Sequence, residues 1–120
     1  MKILLVDDEK YLLDMMSHFL KKKGHSVEKA ANGKEGLEVY KKFPGEFDII
    51  VTDLKMPVMD GMEMLTQISR EGFSTPAVVI TGHLEMMGSR TMSELNILEI
   101  FSKPFILTEL DTVFARLGKS

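Results

Sequence analysis

Short, continuous apolar runs alternate along this chain with segments of helical periodicity. Such runs are typical of buried strands in a parallel sheet. Four of these runs are followed directly by an acidic, hydroxyl or lysine side chain that could bind a ligand or react. They are Ile3–Val6 before Asp7-Asp8-Glu9, Phe47–Thr52 before Asp53, Ala77–Ile80 before Thr81, and Ile97–Ser102 before Lys103. A fifth and more polar run, from His25 to Ala30, indicates a strand at the sheet edge.

The segments between the runs carry the spacing and end signals of helices. An apolar stripe from Leu12 to Leu20 predicts the first helix, which Gly24 can end. Three later helices are expected to begin with capping pairs, namely Asn32 with Glu35, Asp60 with Glu63, and Thr108 with Asp111. A further helix is expected from Leu84 to Asn96 by its position, although Gly88-Ser89 interrupts it.

Five strand–helix repeats predict an α/β fold with right-handed crossovers. The common arrangement is a doubly wound, five-stranded parallel sheet of order 2-1-3-4-5, a flavodoxin-like three-layer sandwich with five helices. In that order the carboxyl ends of strands 1, 3, 4 and 5 lie side by side. The sheet would therefore gather Asp7, Asp8, Asp53, Thr81 and Lys103 at one edge.

Composition and charge narrow the class of protein. The chain has 120 residues, of which 44% are hydrophobic, and this predicts one domain over residues 1–120 with a real core. A net charge of −3 with interspersed signs argues against a nucleic-acid surface. The absence of cysteine excludes disulfides and thiol catalysis, and the first apolar run is too short for a membrane span. We expect a soluble, cytoplasmic protein.

The gathered side chains favour phosphoryl-transfer chemistry. Adjacent carboxylates repel one another unless a cation joins them, and Mg²⁺ prefers such oxygen ligands while leaving room for phosphate. Lys103 offers a charge for a phosphoryl group, and Thr81 offers a hydroxyl donor. A carboxylate is the plausible nucleophile. Taken singly, each residue has a simpler interpretation, such as a helix cap for Asp7 or Asp8, but together they indicate a site.

Five motifs give the chain a specific resemblance along its whole length. They are LLVDDE at 4–9, AANGKEGL at 30–37, DIIVTDLKMPVMDG at 48–61, PAVVITG at 76–82 and SKPF at 102–105. In these motifs the chain resembles the receiver domain of two-component response regulators, including the chemotaxis receiver and the single-domain sporulation phosphorelay receiver. The resemblance implies a signalling domain that promotes its own phosphorylation and dephosphorylation, not a turnover enzyme.

The resemblance also implies residue roles. Asp53 is similar to the phosphoacceptor, which attacks phosphohistidine on a histidine kinase or phosphotransfer protein. Asp8 and Asp53 resemble direct Mg²⁺ ligands, joined by the main-chain carbonyl of Lys55, with Asp7 acting through water. Mn²⁺ is an expected substitute for Mg²⁺. Lys103 resembles the lysine that pairs first with Asp53 and then with the phosphoryl group.

The remaining implied roles concern switching and phosphoryl lifetime. Thr81 resembles the hydroxyl that moves toward the phosphoryl group. The family usually has a cis bond before the proline of the KPF motif, so Pro104 is a candidate for a cis peptide. Lys55 and His83 lie two residues after Asp53 and Thr81 and are candidate modulators of phosphoryl lifetime. We hypothesise that Lys55 obstructs attacking water, while a solvated loop side chain is an equal alternative for His83.

The chain departs from the family pattern near its end. The switch aromatic expected three residues before the lysine is replaced by Ile100, and Phe101 follows it. Strand alternation directs these two side chains to opposite faces, so we expect Phe101 to pack in the core and the usual switch to be lost. Three methionines, Met86, Met87 and Met92, form either core packing, which we favour, or an adaptable binding face.

The expected partners follow from the resemblance. Output should pass to a partner protein or domain through the face formed by the fourth predicted helix, the fifth strand and the last helix. We expect a monomer or a weak, phosphorylation-dependent dimer, without nucleic-acid or membrane binding and without an output domain in this chain. The alternatives are a degenerate receiver that acts without phosphorylation, a flavin binder of the same fold, and a phosphatase with Asp53 as nucleophile.

Overall fold

The computed structural model describes residues 1–87, 94–104 and 106–117. Five parallel strands form one sheet of order β2-β1-β3-β4-β5, which confirms the predicted fold and strand order. The strands are β1 Lys2–Val6, β2 Ser26–Ala30, β3 Ile49–Thr52, β4 Ala77–Thr81 and β5 Ile97–Ser102. The helices are α1 Lys10–Lys22, α2 Gly33–Lys42, α3 Gly61–Arg70 and α4 Glu109–Arg116, with a 3₁₀ turn at Leu84–Met86.

Part of the helix predicted from Leu84 to Asn96 falls outside the described residues. Its described beginning is the 3₁₀ turn at Leu84–Met86, and residues 88–93 are not described. Four α-helices are therefore seen in the described parts of the chain, against the five that were predicted. None of the described helices is long and apolar enough to cross a membrane.

Helix ends follow local sequence chemistry in most places. The side chains of Asn32 and Asp60 accept the main-chain N–H of the residue three positions on, at 2.8 Å in both helices, as the capping pairs predict. The prediction for Thr108 is wrong: its backbone is already helical, and its side chain makes no capping bond within the described residues. A residue caps through its side chain when its own backbone is extended, and Thr108 lacks that geometry.

The sheet separates two apolar clusters. One lies between the sheet and helices α2 and α3, and the other between the sheet and helices α1 and α4. Ile100 packs against the first cluster and Phe101 against the second, as strand alternation predicts. Met86 and Met87 pack against the α2–α3 cluster, which supports core packing for them, while Met92 lies outside the described residues. These two packed layers hold the carboxyl edge of the sheet in place.

Candidate functional site

Strand pairing brings the predicted site residues together. β1 pairs with β3 so that Val6 lies opposite Thr52, and Asp7 and Asp53 therefore leave the sheet side by side. The Asp53 N–H donates to the Val6 carbonyl at 3.0 Å, which fixes this junction. The main chain of Lys103 is fixed in the same way, by an N–H that donates to the Thr81 carbonyl at 2.9 Å.

Asp53 lies at the bottom of the site, with only 5% of its surface exposed. Its Oδ1 accepts the main-chain N–H of Leu54 at 2.6 Å, and its Oδ2 accepts the ammonium of Lys103 at 2.8 Å. Both oxygens are therefore oriented by donors from the protein. The bond between Lys103 and Pro104, the predicted candidate, is cis.

Lys103 connects the carboxylates of the site. Its Nζ donates to Asp7 Oδ2 at 3.1 Å and also to Glu9. Burial alone lowers the pKa of Lys103, but hydrogen bonds to Asp53, Glu9 and Asp7 outweigh burial and raise its pKa above the usual value. Lys103 is therefore firmly cationic and neutralises part of the acidic charge around it.

Asp7 is almost fully buried, whereas Asp8 is exposed. Burial raises the pKa of the Asp7 carboxyl, although a hydrogen bond from the Glu9 N–H and the charge of Lys103 act in the opposite direction. The simpler interpretation of these residues as helix caps is wrong. Glu9 occupies the N-cap position of α1, and the described residues show no side-chain cap there.

Three carboxylates are close enough to hold one cation. Asp7, Asp8 and Asp53 each offer an oxygen, and these oxygens all lie within 4.8 Å of one another. Mg²⁺ binds carboxylate oxygens and keeps several of its water ligands. Because Asp8 is exposed while Asp7 and Asp53 are buried, the cluster leaves one side open for those waters. The donor set therefore fits a partly hydrated Mg²⁺ ion.

An open cleft of about 560 Å³ lies above these side chains. Its lining includes Lys55 and His83 besides Asp8, Asp53 and Lys103. The two candidate modulators thus border the same space as the candidate phosphoacceptor.

Thr81 is fully buried at the end of β4. Its Oγ1 accepts the main-chain N–H of His83 at 3.0 Å, so the hydroxyl can still donate its own hydrogen. The imidazole Nδ1 of His83 lies 3.3 Å from Glu85 Oε1. The structure therefore ties Thr81 to the loop that carries His83.

Sequence reasoning missed two features of this site. Glu9 contacts Lys103, and Gly61 lies against the backbone of Asp53. A signal for the contact of Glu9 was present in the sequence, because three successive acidic residues at 7–9 precede the first helix. The MDG sequence carries a glycine, but its role depends on a contact between backbone segments that is not visible in the sequence.

Comparisons with known proteins agree with this geometry. The family model described as "Response regulator receiver domain" matches residues 3–115. The chain is 30% identical to sporulation initiation phosphotransferase F of Bacillus subtilis, over 91% of this chain and 86% of that protein. It is also 29% identical to the transcriptional regulatory protein DltR of Streptococcus agalactiae. That match covers 98% of this chain but only 50% of DltR.

Solved structures resemble the whole chain. Response regulator protein TrrA from Thermotoga maritima, in complex with Mg²⁺ and BeF, superposes with a TM-score of 0.80 at 26% identity and 97% coverage of both chains. Receiver domains bind Mg²⁺ at an acidic pocket, and the Asp7, Asp8 and Asp53 cluster is consistent with one. The match over residues 3–115 favours a receiver domain over the flavin-binder and phosphatase alternatives. The chain belongs to the receiver-domain family of two-component response regulators.

Proposed function

We propose that Asp53 accepts a phosphoryl group from the phosphohistidine of a sensor histidine kinase or a histidine phosphotransfer protein. The observation that carries the proposal is the environment of its carboxylate. One oxygen accepts the Leu54 N–H, the other accepts Lys103, and Asp7 and Asp8 lie beside it. A buried carboxylate with oriented oxygens at the bottom of an open cleft is suited to act as a nucleophile.

Mg²⁺ would be held by Asp8 and Asp53 directly, by the main-chain carbonyl of Lys55, and by Asp7 through water, with Mn²⁺ as a substitute. The acidic cluster supports this assignment, because its oxygens lie within reach of one ion. Bound Mg²⁺ would neutralise charge on the phosphoryl oxygens. The protein's own contribution is to hold the carboxylates at a fixed spacing through their positions at the ends of β1 and β3.

The proposed step is a displacement at phosphorus. An Asp53 oxygen attacks the phosphorus atom, the P–N bond to the donor imidazole breaks, and the imidazole nitrogen keeps the electron pair. Lys103 then transfers its contact from the Asp53 carboxylate to a phosphoryl oxygen, and the Thr81 hydroxyl donates to another. Positioning and charge neutralisation account for most of the catalysis in such transfers. The domain modifies itself and does not turn over an external substrate.

Lys55 and His83 are proposed to set the lifetime of the phosphoryl-aspartate. Both side chains line the cleft from loops that follow β3 and β4. The positively charged Lys55 side chain would screen the phosphoryl group and obstruct an attacking water molecule. His83 is held near Glu85 and linked to Thr81 through its main-chain N–H.

The signal would reach a partner through the face formed by the Leu84–Asn96 segment, β5 and α4. Ile100 occupies the position of the usual switch aromatic and packs in the α2–α3 cluster, so a rotating ring is not available there. We propose that loop and helix shifts bias an existing equilibrium instead. The chain would act as one receiver unit over residues 1–120, in the cytoplasm, as a monomer or a weak phosphorylation-dependent dimer.

The test is titration of ¹⁵N-labelled protein with Mg²⁺ and then with beryllofluoride, a phosphoryl mimic, followed by amide NMR. We expect saturable, Mg²⁺-dependent shifts around Asp53, Thr81 and Lys103. The Asp53→Asn variant should lose the beryllofluoride response while keeping a folded spectrum. A wild-type protein without that response would be a degenerate receiver, and the proposal would be wrong.

A further inference from the structure

The ammonium group of Lys103 is shared among three carboxylates in the described residues. A lysine ammonium has three N–H donors, and here they face Asp53 at 2.8 Å, Asp7 at 3.1 Å and Glu9. A phosphoryl oxygen that reaches Lys103 must therefore displace at least one of these acceptors.

Glu9 differs from the other two acceptors. The Asp7 and Asp53 side chains are 1% and 6% exposed, whereas that of Glu9 is 58% exposed. Asp7 and Asp53 also belong to the cluster that can hold a cation, and Glu9 does not. Phosphorylation converts the Asp53 carboxylate to a mixed anhydride, and a cation bound at the cluster would attract the Asp7 carboxylate. The Glu9 side chain takes part in neither event.

The position of Glu9 is fixed by the backbone of the site. Its main-chain N–H donates to Asp7 Oδ1 at 2.8 Å, and its carbonyl accepts the Leu13 N–H at 2.9 Å in the first turn of α1. The main chain therefore cannot move away when the state of Asp53 changes, unless these bonds break. The Glu9 side chain stays within reach of Lys103.

We propose that Glu9 competes with the phosphoryl group for Lys103 and so weakens the phosphorylated state. The inference rests on the proposed function of Asp53. Because the contact is partly exposed to solvent, its effect on binding of a phosphoryl mimic should be modest, about two- to tenfold. Glu9 is a positioning residue here, since it acts through Lys103.

The experiment measures beryllofluoride affinity at saturating Mg²⁺ in four proteins. They are the wild type, Glu9→Gln, Glu9→Asp, and the matched control Glu38→Gln, which removes the same charge from the exposed side of α2. Glu9→Asp keeps the charge but withdraws it from Lys103 by one methylene. Urea unfolding of each variant checks that the fold is retained.

Competition predicts that beryllofluoride binds two- to tenfold more tightly to Glu9→Gln and to Glu9→Asp, and with unchanged affinity to Glu38→Gln. Tighter binding to Glu9→Gln alone would mean that Glu9 repels the anion without acting through Lys103, and would overturn the inference. Unchanged or weaker binding to Glu9→Gln would also overturn it. A wild type that does not bind beryllofluoride would contradict the proposed function itself, and this inference with it.

Discussion

Gly61 lies directly against the main-chain carbonyl of Asp53. A Cβ atom built on Gly61 would stand 2.1 Å from that carbonyl oxygen, which is far inside van der Waals contact. The Gly61 N–H also donates to the Leu54 carbonyl at 2.8 Å. The first residue of α3 thus braces the backbone that carries the candidate phosphoacceptor.

Gly61→Ala should therefore displace the Asp53 backbone and destabilise the protein. Because the obstacle is backbone and not a flexible side chain, we expect a loss of about 1–3 kcal/mol in the free energy of unfolding. Urea unfolding measures it. Gly82→Ala is the matched control, since a Cβ there would meet no atom of the described residues within 4 Å. Equal stability of the two variants would contradict this packing.

Metal affinity should respond in opposite directions to two substitutions. Asp8→Asn removes a proposed ligand charge and should weaken Mg²⁺ binding about tenfold or more. Lys103→Met removes the ammonium group that forms ion pairs with Asp7 and Asp53. Because this group competes with the metal for those carboxylates, Mg²⁺ should bind more tightly to the variant. Isothermal titration with MgCl₂ measures both. Weaker Mg²⁺ binding to Lys103→Met would show that the lysine does not compete with the metal.

Lys55→Ala should shorten the life of the phosphoryl-aspartate. Removal of the side chain takes away an obstacle in the open cleft above Asp53, so water should reach the phosphoryl group more easily and hydrolysis should become several-fold faster. The measurement is the decay of phosphorylated protein after removal of the phosphodonor. Lys34→Ala, on the exposed start of α2, is a control for the loss of one positive charge. An unchanged decay rate in Lys55→Ala would show that Lys55 does not set the lifetime of the phosphoryl-aspartate.

Val58 has a strained backbone. Its φ is 70° although it is β-branched, and its side chain is exposed, so packing does not compensate for the strain. Val58→Gly should relieve strain of the order of 1–3 kcal/mol, partly offset by the extra entropy of glycine in the unfolded chain. We expect a net gain in the free energy of unfolding, measured with urea. A net loss of stability would contradict the strained conformation.

The sheet and the cluster of site residues at its edge could be predicted because both follow from the local pattern of apolar and polar residues. Continuous apolar runs specify buried strands, and strand order then brings Asp53 and Lys103 to one edge. The capping pairs at Asn32 and Asp60 are also local, since a side chain bonds to a main-chain N–H three residues on.

The remaining features depend on backbone conformation or on contacts between distant segments. Thr108 carries the sequence of a cap but adopts a helical backbone, which propensity alone does not reveal. The contact of Glu9 with Lys103 joins residues 94 positions apart. The approach of Gly61 to Asp53 depends on the path of the whole β3–α3 loop.

Intact-mass spectrometry detects phosphorylation of Asp53 as an increase in the mass of the protein. The protein is incubated with acetyl phosphate and Mg²⁺, beside samples that contain EDTA and beside Asp53→Asn. We expect a mass increase of one phosphoryl group in the wild type with Mg²⁺, and none with EDTA or in the variant. An equal increase in Asp53→Asn, or no increase in the wild type, would contradict it.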